Sequence, residues 1–501
     1  MSKPFRIVIV GGGTAGWMAA SVCARFLPPQ LYSVTLIESD EIGTVGVGES
    51  SIPQLQLINA ALGIAEDDFV RATHATYKLG IEFVGWGAPE GRYIHAFGNT
   101  GRPVGQTPFQ HFWLRGLRLG EAAPLDAYCL NAAAAYAHKF ARGPEAQSQM
   151  LGGLVHAFQF DSGLYGRFLR KYAEARGVHR IEGKITHAER DAQSGDVARV
   201  VLADGSGHGA DLFLDCSGFR SLLLGEALET SFEDWSHWLP CDRAVVAPSA
   251  AADALTPYTR ATAKKAGWQW RIPLQHRVGN GHVYSSAALG DDEARAILLD
   301  GLDGEMLADP RILKFTAGRR KVSWNRNVVA LGLAAGFMEP LESTSIHLVQ
   351  SAIERVLKFL PLGPIRDADI AAYNAQTAFE WERVRDFLIL HYHVNGRSEP
   401  FWRDCAAMGI PDTLAEKIDL FRANGRIHRF NEELFAEVGW LQVMVGQGIM
   451  PAGYHPLADA PSAAELREFI GLIRQTVAKH VAGMPGHEAF LRQHSWAAGA
   501  V

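Results

Sequence analysis

The sequence predicts an α/β protein in which a βαβ unit opens a sheet-rich region and a mainly helical region follows. Three observations predict it. The run Phe5–Val10 is apolar and β-branched and ends in glycines, as a strand buried on both faces requires. Further apolar runs alternate with turn signals until about residue 340. From Thr344 onward, Ile346, Val349, Ile353, Val356, Leu357 and Leu360 recur at three- and four-residue spacing, the period of a half-buried helix.

The elements follow in order. After the first strand, Thr14–Phe26 reads as a helix and 33–38 as a second buried strand. Residues 184–189 and 197–203 flank Gln193-Ser194-Gly195-Asp196 and predict a hairpin. The chain returns through 210–218, an apolar strand closed by small residues, and further strands are expected in 260–273, 281–288 and 328–333. Asp367–His393 and 462–481 read as helices, with a Pro- and Gly-containing loop at 450–456. The expected division is therefore a first module over 1–340 and a helical second module over 341–501.

Composition bounds the function. The 501 residues carry 48 Lys and Arg against 54 Asp and Glu, a net charge of −6, with 48% hydrophobic and 20% charged residues. That is folded-domain composition, and disorder is excluded. Basic residues are scattered, so no stripe exists to neutralise nucleic-acid phosphates. Cys23, Cys129, Cys216, Cys241 and Cys405 are odd in number and form no CxxC, which predicts neither a disulfide framework nor a metal site, and a cytoplasmic location. The apolar stretch 7–24 is interrupted by Gly11, Gly12, Gly13 and Gly16, and no membrane association is expected. The 51 glycines and 12 tryptophans together suit a large planar ligand, glycine admitting close backbone approach and tryptophan supplying flat apolar walls.

The segment Gly11-Gly12-Gly13-Thr14-Ala15-Gly16 supplies GxGxxG between a strand and a helix. Gly11 permits the tight turn, Gly13 lets backbone meet a pyrophosphate, and Gly16 allows close helix–strand packing. The helix start at Thr14 and Ala15 offers free N–H groups to the phosphates. Glu38 ends the second strand, where a carboxylate accepts hydrogen bonds from ribose hydroxyls. NAD fits the same fingerprint. The later glycine-ended strand at 210–218 favours FAD, because a second such strand returning to the nucleotide is usual in flavoproteins.

Four motifs in sequence carry a closer resemblance. Trp268-Gln269-Trp270-Arg271-Ile272-Pro273 matches the WxWxIP signature of the flavin-dependent tryptophan halogenase family. Gly46-Val47-Gly48-Glu49-Ser50-Ser51-Ile52-Pro53 resembles that family's flavin-covering loop, with Ser50 in it. Gly336-Phe337-Met338-Glu339-Pro340-Leu341-Glu342-Ser343-Thr344-Ser345 resembles its GFLEPLEST segment, and Tyr77-Lys78-Leu79-Gly80 the segment with its essential lysine. The similarity runs to about Arg403 and weakens beyond it.

The resemblance implies a Rossmann-type, monooxygenase-like FAD module and a division of labour. Reduced FAD and O2 oxidise chloride or bromide to hypohalous acid, which travels to a separate arene site. Lys78 corresponds to the lysine that hydrogen-bonds the oxidant or carries the halogen as a haloamine. Glu342 corresponds to the carboxylate that stabilises the cationic arene intermediate and takes its proton. Backbone groups of Thr344 and Ser345 are the implied halide site, Leu333 the residue touching the flavin ring, and Trp268 and Trp270 its wall. His95 and Phe97 resemble the aromatic slab beneath the substrate, with Trp440 in the substrate segment. A separate flavin reductase supplies FADH2 by diffusion, and a homodimer stays open as a further partner. Read alone, Lys78 is a surface lysine and Glu342 a helix-start acid.

Two other readings compete. A single-component FAD hydroxylase shares the fold but needs arene and flavin adjacent, against which Lys78, Glu342 and WxWxIP weigh. A flavoprotein that only binds FAD is the non-enzymatic alternative. The chain also departs from tryptophan-specific relatives, which follow two tyrosines with a glutamate that receives the amino acid's ammonium group. Here Trp440 and Leu441 replace the tyrosines and neutral Gln447 stands at the glutamate's place. Unsubstituted indole is therefore expected to be accepted better than free tryptophan.

Overall fold

The computed structural model describes residues 3–41, 48–251 and 255–497, the side chain of Glu145 excepted. Two compact units interleave along the chain. The first comprises Met1–His74, Phe160–Asp242 and Lys314–Glu382, and the second Ala75–Gln159, Arg243–Leu313 and Arg383–Val501. Residue 340, where the sequence changes from strands to helices, falls inside the first unit.

The first unit holds a six-stranded sheet in the order His179–Glu182, Tyr32–Glu38, Phe5–Val10, Leu212–Asp215, Val328–Ala330, Trp324–Asn325. The first five run parallel and the last pairs antiparallel with its neighbour. Phe5–Val10 is central, with Ile7 opposite Val34 on one side and Leu212 on the other, and Ile7 to Val10 are buried. The predicted βαβ unit and its return strand are thus neighbours in this sheet. Helix Thr14–Phe26 packs along helix Ser162–Glu174, where Ser21 Oγ donates to the carbonyl of Leu169 at 3.2 Å. The predicted hairpin is present as Ile185–Arg190 against Val197–Leu202. The strand expected over 328–333 stops at Ala330, because Gly332 takes φ +62° and turns the chain into a short 3-10 segment, Gly332–Ala334.

The second unit holds a seven-stranded sheet in the order Arg311–Lys314, Arg243–Ser249, Val278–Tyr284, Gly267–Pro273, Thr259–Lys264, Gly80–Val84, Arg92–Ala96. From Arg243–Ser249 onward neighbours pair antiparallel, except that Thr259–Lys264 and Gly80–Val84 are parallel. Strand Thr76–Lys78 pairs with Ala157–Phe160, setting Lys78 opposite Ala157. Helix Ala463–Gly483 begins in a capping box, Ser462 Oγ accepting from Glu465 N–H at 3.3 Å and the Glu465 carboxylate accepting from Ser462 N–H at 2.7 Å. Among the described residues, no helix is long and apolar enough to cross a membrane.

Candidate active site

The glycine turn is packed on three of its four glycines and open on the fourth. Gly11 has φ +104°, and a Cβ there would fall 2.4 Å from the carbonyl oxygen of Cys216. At Gly16 a Cβ would fall 1.9 Å from the Gly11 carbonyl oxygen, so the helix meets the turn this closely only because residue 16 has no side chain. Gly12 faces the Glu38 carboxylate, 1.5 Å from the position of a Cβ, a constraint the fingerprint reading did not anticipate. Gly13, the N-cap of the helix, meets nothing within 4 Å. That open backbone at a helix N-terminus fits the pyrophosphate of a dinucleotide. Thr14 Oγ1 is turned aside, donating to the carbonyl of Ser162 at 3.2 Å.

Glu38 sits at the end of its strand within a cationic clamp. Arg180 Nε donates to its Oε1 at 2.7 Å, Arg170 lies at 3.5 Å, and Trp17 Nε1 donates to Oε2 at 3.3 Å. Arg180 also holds Asp40 at 2.8 Å and pairs with Glu182. The sequence located the acid but not its arginines, which lie far away in the chain and have no local signature. Ser50 is buried on the short strand Glu49–Ser50, and burial pushes the Glu49 carboxyl up to about 7. Gly46 and Val47 of the expected flavin-covering loop lie outside the described residues.

Leu333 sits in the turn after Val328–Ala330. A Cβ on Gly332 would lie 3.2 Å from Cβ of Ala15 and 3.3 Å from Cγ2 of Val349. The Leu333 turn, the glycine-turn helix and helix Ser345–Lys358 therefore converge in the first unit. Glu342 closes a 3-10 turn, Pro340–Glu342, after which Ser343 takes φ +59° and Thr344 caps the helix. Glu339, Glu342, Ser343 and Thr344 are all buried, and Ser345 is half-buried.

Lys78 lies in the second unit and is fully buried rather than at the surface. Its Nζ stands 5.5 Å from the ring centroid of Phe97, a cation–π distance. Phe97 follows strand Arg92–Ala96, and its N–H donates to the carbonyl of Leu79 at 2.9 Å, so the lysine and the aromatic residue are tied through adjacent backbone. Two residues earlier, His95 is buried with its ring 5.4 Å from Phe387 and 6.1 Å from Phe435. Phe387 stacks on Phe435 at 3.9 Å and receives Trp440 edge-on at 4.8 Å. Trp440 is buried, with the Lys417 ammonium 5.0 Å over its ring. Phe387 and Phe435 were not singled out from sequence, since aromatic residues in helices and loops are ordinarily core.

Trp268 and Trp270 stand on one face of their strand with centroids 6.0 Å apart. Space for Trp270 comes from its partner Gly281, where a Cβ would fall 2.2 Å from the indole. Helix Glu437–Gly446 lies along strand Arg92–Ala96. Gln442 Oε1 accepts from Ala96 N–H at 3.0 Å and its Nε2 donates to Thr100 Oγ1 at 3.1 Å. Gln447 is engaged through both amide atoms: Oε1 accepts from the Tyr93 hydroxyl at 3.0 Å, while Nε2 donates to the carbonyl of His391 at 2.8 Å and to that of Val394. The following loop is gripped by helix Phe109–Arg118. His111 Nδ1 accepts from His455 N–H at 3.2 Å, Arg115 donates to the Ala458 carbonyl at 2.9 Å, and Arg118 donates to that of Ala452. Among the described residues no group of three or more His, Cys, Asp or Glu could hold a metal ion.

A parallel sheet, an open glycine at a helix start and a clamped acid at the neighbouring strand end define a dinucleotide-binding α/β protein. The family model described as tryptophan halogenase matches residues 6–463, and the chain belongs to that family of flavin-dependent halogenases. It is 34% identical to tryptophan 7-halogenase RebH of Lentzea aerocolonigenes, with 97% of this chain and 98% of RebH covered. Two solved structures extend the likeness. Xcc4156, a flavin-dependent halogenase from Xanthomonas campestris, superposes with TM-score 0.96 at 49% identity, covering 99% of each chain. BrvH, a flavin-dependent halogenase from Brevundimonas sp. BAL3, gives 0.94 at 44%, covering 98% of this chain and 99% of BrvH. The protein is accordingly an oxidoreductase working with FADH2, halide and O2, which sets the hydroxylase reading aside.

Proposed function

We propose that this halogenase acts on an uncharged, electron-rich aromatic of indole type rather than on free tryptophan, with Lys78 directing the halogen and Glu342 serving as acid–base partner. The observation that carries the substrate reading is Gln447. Its amide nitrogen donates to two backbone carbonyls and its oxygen already accepts from the Tyr93 hydroxyl, so the position presents a neutral, engaged amide and no carboxylate to an incoming ammonium. An amino-acid substrate would forgo a charge-assisted hydrogen bond worth about 1.5–3 kcal/mol. The relatives named as tryptophan halogenases stand at 34% identity and below, whereas Xcc4156 at 49% is named without a substrate.

Bound reduced FAD supplies, with O2 and halide, the hypohalous oxidant. The residues of the chain do the rest. Gly13 and the helix start at Thr14 and Ala15 receive the phosphates, Glu38 the ribose, and Leu333 the ring system, with Ser50 alongside. Backbone N–H groups at Thr344 and Ser345 hold the halide at a helix start. Trp268 and Trp270 wall off the flavin. Lys78, held beside Phe97, presents an ammonium to the oxidant and fixes its direction. His95 and Phe97 support the arene, and Glu342 accepts the proton released from the ring.

Reduced flavin arrives by diffusion from a separate reductase, and the five buried cysteine thiols suit a reducing cytoplasm. The deciding experiment supplies chemically reduced FAD, O2 and bromide, and compares kcat/KM for indole and free tryptophan at equal halide. Brominated indole with the higher kcat/KM is expected. A higher value for tryptophan overturns the substrate reading.

A further inference from the structure

Helix Glu437–Gly446 meets strand Arg92–Ala96 through two glycines spaced seven residues apart, hence on one helix face. A Cβ on Gly446 would fall 2.2 Å from the Tyr93 ring. A Cβ on Gly439 would fall 2.8 Å from Nε2 of His95, 3.5 Å from Cε1 and 3.8 Å from Cδ2. Tyr93 and His95 alternate on the strand, so each glycine faces one ring. The helix is held at this distance by hydrogen bonds at its middle and its C-terminal end, where the side-chain oxygens of Gln442 and Gln447 accept from Ala96 N–H and the Tyr93 hydroxyl. It cannot back away from a new side chain without breaking them.

We infer that Gly439 is a specificity-determining positioning residue: by lacking a side chain, it fixes where the His95 ring stands. The inference rests on the proposed role of His95 beneath the arene and adds what sets its place. His95 is 7% exposed and faces Phe387 and Phe435, which stack on each other at 3.9 Å. With those rings packed against it, an imidazole pushed by a methyl group at 439 is displaced from the position in which it would support the arene. The larger the side chain at 439, the further the ring is displaced. Gly446 performs the same spacing for Tyr93 but acts on the scaffold.

The test is a cycle of Gly439→Ala, His95→Ala and the double variant, read by KM and kcat for indole and by thermal midpoint. Gly439→Ala is expected to raise KM at least about fivefold, with a smaller change in kcat, because the ring platform is displaced by a fraction of an ångström. It is also expected to lower the midpoint, and the His95→Ala background should abolish that loss, since the clashing atom is gone. An unchanged KM in Gly439→Ala, with a raised KM in His95→Ala, overturns the inference and leaves the role of His95 intact. An unchanged KM in His95→Ala removes that role and the inference with it. If Gly439→Ala does not fold, recovery of a folded double variant supports the inference and its failure to fold overturns it.

Discussion

The backbone N–H of Tyr77 donates to Nε2 of His487 at 3.1 Å, tying the residue before Lys78 to a helix 410 positions along the chain. The same imidazole donates from Nδ1 to the carbonyl of Leu255 at 2.9 Å, which fixes its neutral tautomer. Burial pushes His487 down to about 4. His487→Phe removes an acceptor and a donor from a buried place and is expected to cost about 1–3 kcal/mol. The pH dependence has a definite sign. An unfolded imidazole titrates near 6.5 and the folded one near 4, so the unfolded chain binds more protons between these values. The stabilisation is complete above the upper value and lost as pH falls towards the lower. Thermal midpoints should therefore separate wild type and variant widely at neutral pH and less in mild acid. A gap that widens in acid contradicts this.

Lys78→Ala is expected to abolish halogenation while flavin binding persists, because Lys78 belongs to the second unit and the glycine turn to the first. Glu342→Gln is expected to lose about a hundredfold in rate without losing all of it, the usual scale for removing a proton acceptor. Product yield and flavin fluorescence titration measure the two properties separately. Loss of FAD binding in either variant would show that the residue serves the cofactor instead.

Arg180→Met should weaken FAD binding by roughly tenfold, through Glu38. The guanidinium aims this carboxylate, and one misdirected charge-assisted hydrogen bond is of that order. Quenching of flavin fluorescence reads the dissociation constant directly. Unaltered affinity would mean that Arg170 and Trp17 suffice to hold the acid.

Glu49→Gln is expected to stabilise the protein in alkaline buffer and to do little in acid. Burial raises the folded carboxyl to about 7 from 4.5, so the folded chain retains a proton that the unfolded chain gives up. The cost of ionising it grows as pH rises through this interval and is fully present above it. Thermal midpoints at pH 5 and pH 8 check the claim, and equal shifts at both would refute it.

The features legible in the sequence were those with a local signature. Helix Thr14–Phe26 and helix Asp367–His393 have the bounds their patterns predict. Gly11 and Gly16 carry the constraints their spacing implies. Helix Phe109–Arg118 carries such a signal as well, with Phe109, Phe112 and Trp113 on one side and His111, Arg115 and Arg118 on the other. Gly281, Gly439 and Gly446 are silent. Each matters through a ring that lies far off in sequence, and a missing side chain leaves no pattern of its own. The burial of Lys78 was equally hidden, because a single lysine on a short strand looks like any solvated one.

The interleaving of the two units bears on how the polypeptide is made. Phe5–Val10 and Tyr32–Glu38 emerge early in synthesis, yet the strand on the other side, Leu212–Asp215, and the later Val328–Ala330 follow only after a long intervening stretch. The first unit cannot close until Glu382 has left the ribosome, and the second waits for the segment beginning at Arg383. At about 5–20 residues per second the nascent chain carries bare apolar strand edges for tens of seconds. Chaperone supply and the pace of synthesis then join the stability of the finished protein in setting how much folded enzyme a cell yields.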